Sequence, residues 1–121
     1  MRQPYLKHIT RVEAATPTYY TYDERVDPGK ILVIRNLCAS WSDMATTESA
    51  QFFIKTGQGN IFLRDDLPSV TGGKPRWSGQ AFVGEGQQIG VYTPDSAASD
   101  VIYFDIVGEL WDLKDWIAKG S

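Results

Sequence analysis

The sequence has little of what catalytic and metal sites most often use. Its 121 residues include one cysteine, Cys38, and one histidine, His8. A single cysteine excludes an intrachain disulfide and a zinc site built on cysteine pairs, and a single histidine excludes a site built on several histidines. Histidine and cysteine are also frequent general bases and nucleophiles in enzymes. We therefore expect no cofactor, no metal and no enzymatic activity.

Long apolar runs and a strong charge of either sign are also missing. Apolar runs such as Ile31–Ile34 are far shorter than the about 20 residues that a membrane-spanning helix needs. The formal net charge is −3, whereas proteins bind nucleic acid mainly through Lys and Arg on phosphates. We therefore predict neither a membrane partner nor a direct nucleic-acid partner.

The residues that are present predict strands. Short runs of β-branched and aromatic residues alternate with turn residues, the pattern of β-strands. Runs of this kind cover residues 5–14, 18–22, 30–39, 51–55, 61–64, 76–83, 87–92 and 101–110. Eight strands, mostly joined by short turns, favour a jelly roll over a seven-stranded immunoglobulin-like fold. We predict one all-β domain over residues 1–121, an antiparallel β-sandwich of about eight strands that is jelly-roll-like.

The first 15 residues allow two structures, a first strand or an extended arm. Arg2, Lys7 and Arg11 make this segment basic, whereas residues 85–116 carry seven acids against one lysine. One interpretation is scattered surface charge. The other is a basic arm that docks on an acidic neighbour, since complementary charge steers association.

The chain changes its period in the tail, residues 111–121. Leu110, Leu113 and Ile117 have helical spacing, which predicts a short C-terminal helix or an irregular tail. Trp111 and Trp116 are expected to hold this tail against the sandwich.

Two Gly-x-Gly units lie between predicted strands. Neither Gly57–Gly59 nor Gly84–Gly86 precedes a helical pattern, so neither matches a phosphate-binding loop. We predict that both are hairpin turns.

Aromatic residues in polar surroundings are candidate contact residues. Trp41 lies in a polar segment that predicts a loop, and Tyr19, Tyr20 and Tyr22 lie close together. Exposed aromatic rings stack on sugars or anchor protein interfaces. The alternative is that these rings pack on the sandwich or under a loop. With Arg2, Lys7 and Arg11, they form the set of candidate partner contacts.

Five segments carry a resemblance to a known family. They are Val26–Ile34, Trp77–Gly79, Gly84–Gly86, Ile89–Val91 and Ser99–Gly108. In this order they resemble small β-sandwich structural proteins of tailed bacteriophages, over about residues 26–110. The resemblance implies a virion component without enzymatic activity, either a capsid decoration protein or another head or tail accessory protein.

Three hypotheses about function follow. The first is a structural protein of a tailed-phage virion, which binds the major capsid protein, neck or tail components, or itself as a homo-oligomer. The second is a carbohydrate- or receptor-binding module of a phage tail, in which Trp41 and the three tyrosines contact the ligand. The third is an enzyme with two carboxylates in one cleft, for which the sequence favours no particular pair.

Overall fold

The computed structural model describes residues 2–42, 50–63 and 75–119. These residues form eight strands and one helix. They are β1 (Arg2–Val12), β2 (Tyr20–Tyr22), β3 (Lys30–Trp41), β4 (Gln51–Thr56), β5 (Gly59–Phe62), β6 (Arg76–Val83), β7 (Gln88–Tyr92), β8 (Val101–Asp112) and α1 (Leu113–Ala118). Over this part of the chain, no helix has the length and apolar character needed to cross a membrane.

The strands form two four-stranded sheets. The first sheet has the order β1-β8-β3-β6 and the second has the order β2-β7-β4-β5, with antiparallel neighbours throughout. Each sheet joins strands from both ends of the chain, so that β1 pairs with β8 and β2 pairs with β7. This is the double Greek key of a jelly roll. The predicted all-β sandwich of about eight strands is confirmed.

The core lies between the two sheets and follows the predicted alternation. In β8, Ile102, Phe104 and Ile106 are buried, while Tyr103 and Val107 are exposed. Strand β3 is central in its sheet and buries residues on both faces, which explains its continuous apolar run. The core cluster draws on both sheets: Leu32, Ile34, Leu37, Ala39, Trp41, Phe52, Ile54, Ala81, Val83, Ile89, Val91, Ile102, Phe104 and Ile106.

A bulge in β3 explains the glycine that interrupts the inward row of β8. The register of β3 against β8 shifts between Ile34 and Asn36, and Gly108 pairs with Ile34 there. A Cβ on Gly108 would lie 2.2 Å from the carbonyl oxygen of Val33. Only glycine allows the two backbones to approach this closely.

Residues 2–12 form a strand, which is the first of the two structures that the sequence left open for this segment. All 11 residues of β1 pair in continuous register with β8. Tyr5 and Ile9 also pack against the core from the inner face of β1. Backbone pairing and burial together fix this segment at the edge of the first sheet.

The two Gly-x-Gly turns differ in their role. Gly57 lies in the hairpin between β4 and β5, as predicted, since Thr56 pairs with Gly59. The prediction of a second hairpin at Gly84–Gly86 is wrong, because β6 and β7 belong to different sheets. The turn sequence specifies a local reversal of the chain, but not which strands then pair.

The predicted C-terminal helix is present as α1. Its buried residue is Trp116, which packs against Phe82 of β6 and Trp111 of β8. Ile117, part of the helical spacing in the sequence, is 65% exposed. Trp116 therefore holds the end of the chain against the outer face of the first sheet.

Candidate interaction surfaces

The basic residues of β1 bind acids of the same chain. Because β1 and β2 are edge strands of opposite sheets, side chains from the inner face of β1 reach across the gap between them. Lys7 contacts Asp23 just beyond β2, and Arg11 contacts Thr21 in β2. These contacts close one side of the sandwich, so Lys7 and Arg11 are structural residues here.

Arg11 neutralises a carboxylate that has no access to solvent. Its guanidinium donates to both carboxylate oxygens of Glu13, at 3.1 and 3.0 Å, and the Glu13 side chain is fully buried. The backbone N–H of Thr18 and the hydroxyl of Ser96 also donate to Glu13. Burial disfavours the charge, but the hydrogen bonds from Arg11 and Thr18 outweigh it and lower the pKa of Glu13.

Asp23 forms a second buried anchor on the same side. The ammonium of Lys7 lies 2.7 Å from Asp23 Oδ1, and the hydroxyl of Tyr5 donates to Oδ2. The hydrogen bond to Asp23 raises the pKa of Lys7. Burial, and then the hydrogen bond to Asp23, raise the pKa of Tyr5. Both partners of the carboxylate therefore keep their protons at neutral pH.

The remaining basic side chains of β1 contact acids of strand β8. Arg2 forms an ion pair of 3.2 Å with Glu109 and lies over the ring of Trp111. His8 contacts Asp105 on the outer face of the first sheet. Of the three basic residues of this segment, Arg2 therefore contacts an acid of the adjacent strand β8, whereas Lys7 and Arg11 contact Asp23 and Glu13.

Trp41 is a core residue, so its prediction as an exposed loop aromatic is wrong. It is the last residue of β3 and is 4% exposed. It continues the inward row of Leu37 and Ala39 at a spacing of two residues. A ring in this position cannot stack on a sugar at the surface.

Tyr20 and Tyr22 do lie on a shared surface, the outer face of the second sheet. One row of residues crosses all four strands of this sheet and runs from Tyr22 through Gly90 and Phe53 to Phe62. A second row places Tyr20 beside Tyr92. We call this surface the aromatic face and define it by Tyr20, Tyr22, Phe53, Phe62 and Tyr92.

The rings of the aromatic face contact one another closely. Tyr20 and Tyr22 are parallel, with an interplanar angle of 3° and centroids 6.2 Å apart, and both meet Phe53 edge to face. Tyr20 stacks on Tyr92 at 4.9 Å, and Phe62 lies 5.6 Å from Phe53. Such ring–ring contacts stabilise the position of each ring, in addition to the stabilisation that comes from burying its apolar area.

Gly90 makes the centre of this arrangement fit. A Cβ there would lie 2.7 Å from Cζ of Phe53 and 2.9 Å from the carbonyl oxygen of Thr21. The missing side chain leaves room for Phe53, which is fully buried although it points away from the sandwich core. The tyrosines therefore stand on a fixed apolar base and remain partly exposed themselves.

A cation, Lys55, borders the aromatic face. The ammonium of Lys55 lies 4.6 Å from the centroid of the Tyr22 ring, in the range of a cation–π contact. Burial raises the pKa of Tyr22, so its hydroxyl remains a neutral donor and acceptor at physiological pH. The face thus offers apolar ring surface, hydroxyl groups and a positive charge.

Tyr19 has a different role from its neighbours. It precedes β2 with φ of +65°, in the left-handed region that residues other than glycine seldom adopt. Its carbonyl oxygen accepts a hydrogen bond of 2.8 Å from the backbone N–H of Thr93. The ring contacts on the aromatic face come from Tyr20 and Tyr22.

Three of the five residues of the aromatic face were not predicted from the sequence. Phe53, Phe62 and Tyr92 were not among the predicted contact residues. The consecutive pair Phe52–Phe53 was a usable signal, because neighbouring strand residues point to opposite faces and two phenylalanines imply apolar surroundings on both. Gly90 within a strand was another, since such a glycine often marks a close approach.

A second exposed apolar surface lies on β1 and β8. Leu6 of β1 is 73% exposed and pairs with Val107 of β8, and Val12 is 62% exposed and pairs with Val101. The ring of His8 lies between these pairs and stacks on Tyr103. This surface faces away from the core.

The described residues contain no group of three or more His, Cys, Asp or Glu side chains placed to hold a metal ion. No protein-family model and no curated protein matches this chain.

Proposed function

We propose that the protein is a non-enzymatic structural component of a tailed-phage virion, a capsid decoration or head–tail accessory protein. In this proposal it binds other virion proteins through the aromatic face. The observation that carries the proposal is the arrangement of this face, in which partly exposed tyrosines stand on the buried ring of Phe53.

Two further points support this proposal. Tyrosine is enriched among the residues that dominate protein interfaces, because its ring is large and loses little conformational freedom on binding. The jelly roll is a frequent architecture of viral capsid domains. The resemblance of residues 26–110 to phage β-sandwich proteins points to the same class of partner.

The proposal is tested by co-sedimentation with virions that lack this protein. Wild-type protein is expected to bind the particles. Removing a central interface tyrosine costs about 2 kcal/mol or more, so Tyr22→Ala should weaken binding roughly 30-fold. Tyr22→Phe is the matched control, since it keeps the ring contacts with Tyr20 and Phe53. Equal binding by wild type and Tyr22→Ala would refute a role for the aromatic face.

A second candidate function is carbohydrate binding by a phage tail module. The parallel rings of Tyr20 and Tyr22 favour it, because sugars stack on flat aromatic surface. A glycan array separates the two functions. Binding of a glycan that is lost in Tyr20→Ala, without binding to particles, would favour the carbohydrate module over the structural protein.

A further inference from the structure

We propose that two copies of this chain associate through the edge of β1 and form a continuous eight-stranded sheet. This inference does not depend on the proposed virion function, because it concerns the isolated chain. It rests on a different surface from the aromatic face, namely the segment from Leu6 to Val12.

Strand β1 is an open edge of the first sheet. It is the terminal strand of the first sheet, and among the described residues no strand pairs with its second side. Such a strand presents unpaired N–H and C=O groups to any strand that approaches. At 11 residues, β1 is long for an edge strand.

Between Leu6 and Val12, the usual protection of an edge strand is reduced to two charged side chains on the inner face, Lys7 and Arg11. Edge strands are commonly guarded by short length, proline, bulges or charged side chains, including charges that point inward. Pro4 lies before this segment, and the register with β8 continues without a bulge. Lys7 and Arg11 are held by Asp23 and Glu13.

The segment from Leu6 to Val12 is complementary to a second copy of itself. Leu6 and Val12 lie three residues to either side of Ile9 and share the outer face of the sheet. In an antiparallel pair with its two-fold axis at Ile9, Leu6 of each copy faces Val12 of the other. Leu6 and Val12 are both mostly exposed in the monomer, and the dimer brings them into two equivalent cross-strand contacts, one on each side of the axis.

Strand β8 extends each of these contacts. Val107 lies beside Leu6, and Val101 lies beside Val12. Each apolar pair therefore becomes a row of four side chains across four strands. Between the two rows, His8 of one copy faces Thr10 of the other, so no like charges meet on the outer face.

The inner face is compatible with this register. Lys7 of one copy faces Arg11 of the other, but each is already paired with a carboxylate, Asp23 or Glu13.

The size of the contact sets the expected affinity. About seven residues from each copy pair directly, against about 20–30 in an interface of standard size. We therefore expect a weak dimer that forms at micromolar concentrations and above.

Sedimentation velocity of the purified chain, from about 1 μM to about 1 mM, tests the association. We expect a reversible monomer–dimer equilibrium. Leu6→Lys and Val12→Lys should each weaken it about tenfold, because each replaces the apolar cross-strand pair on both sides of the two-fold axis. Ile117→Lys, at an equally exposed apolar residue on α1, is the control and should leave the equilibrium unchanged. Circular dichroism verifies that each variant folds.

Disulfide cross-linking tests the register in a Cys38→Ser background. A mixture of Leu6→Cys and Val12→Cys proteins should form a disulfide between chains, since facing Cα atoms are about 4.5–5.5 Å apart. Neither protein alone should cross-link, because equivalent residues lie about 20 Å apart along the strands. A monomer at every concentration, an equilibrium insensitive to Leu6→Lys and Val12→Lys, or cross-linking of Leu6→Cys with itself would each overturn the proposal.

Discussion

The pairing of Arg11 with Glu13 gives a quantitative test of how the sandwich is closed. Arg11→Met removes the guanidinium and keeps a side chain of similar length. Glu13 would then be a fully buried carboxylate that retains only the hydrogen bonds from Thr18 and Ser96. Breaking a buried ion pair on one side costs about 3–5 kcal/mol. We expect about 3 kcal/mol, since two donors remain.

The assay is urea unfolding followed by tryptophan fluorescence. Urea unfolding gives the free energy directly. In thermal unfolding of a domain of this size, the same loss of about 3 kcal/mol lowers the melting temperature by about 10 °C. The double variant Arg11→Met/Glu13→Gln should lose less free energy of unfolding than the two single variants lose in sum, by about 2 kcal/mol. Arg2→Met is the matched control, because the side chain of Arg2 is 60% exposed and its ion pair should contribute less than about 1 kcal/mol.

The effect of Arg11→Met also has a defined pH dependence. Folding lowers the pKa of Glu13 below its ordinary value of 4.5. The stability that this carboxylate contributes is therefore present above about pH 4.5 and is lost as pH falls through the lower pKa of the folded state. The difference in free energy of unfolding between wild type and Arg11→Met should therefore become smaller as pH falls through that range. A cost under about 1 kcal/mol at neutral pH, or a difference that widens in acid, would refute the reasoning.

Two further predictions concern other parts of the fold. Gly90→Ala should cost about 1–3 kcal/mol in urea unfolding, because its Cβ meets Phe53 and the backbone of Thr21, whereas Gly57→Ala, with nothing within 4 Å, should change stability little; equal effects of the two would contradict the close packing at Gly90. The hydrogen bond from Lys30 lowers the pKa of Asp112 to about 2, so Lys30→Gln should raise that pKa toward 3.8 in an NMR titration. An unchanged pKa would show that Lys30 does not hold this carboxylate.

Alternation was the most informative signal in the sequence. The pattern at Ile102, Phe104 and Ile106 fixed the inward face of β8, and continuous apolar residues at the start of β3 indicated a central strand. Both signals reflect burial, which acts residue by residue along a strand. The sequence was also sufficient to favour the jelly roll, since eight strands in one small domain fit few other sandwiches.

Pairing between distant strands was beyond the local signals. The local pattern of residues 5–14 allowed a strand, but nothing within the segment identified β8 as its partner. The turn at Gly84–Gly86 reverses the chain equally well within a sheet or between sheets. Trp41 was misplaced because polar neighbours suggested a loop, although its spacing from Leu37 and Ala39 continues the inward row.

For the aromatic face too, the local pattern was readable in the sequence and the pairing of distant strands was not. The spacing of Tyr20 and Tyr22 places them on one side of a strand, and that part of the face was predictable. Phe53 and Phe62 join them only through the order β2-β7-β4-β5, which depends on pairing across the whole chain.

The proposed place of this protein in a virion is tested most directly on the particle itself. Virions purified from the source of this sequence would be analysed by mass spectrometry for the chain and by cryo-electron microscopy for its position. Our account predicts the protein in purified particles, with a jelly-roll density whose aromatic face contacts a shell, neck or tail protein. Its absence from particles, or a position that leaves the aromatic face in solvent, would contradict that account.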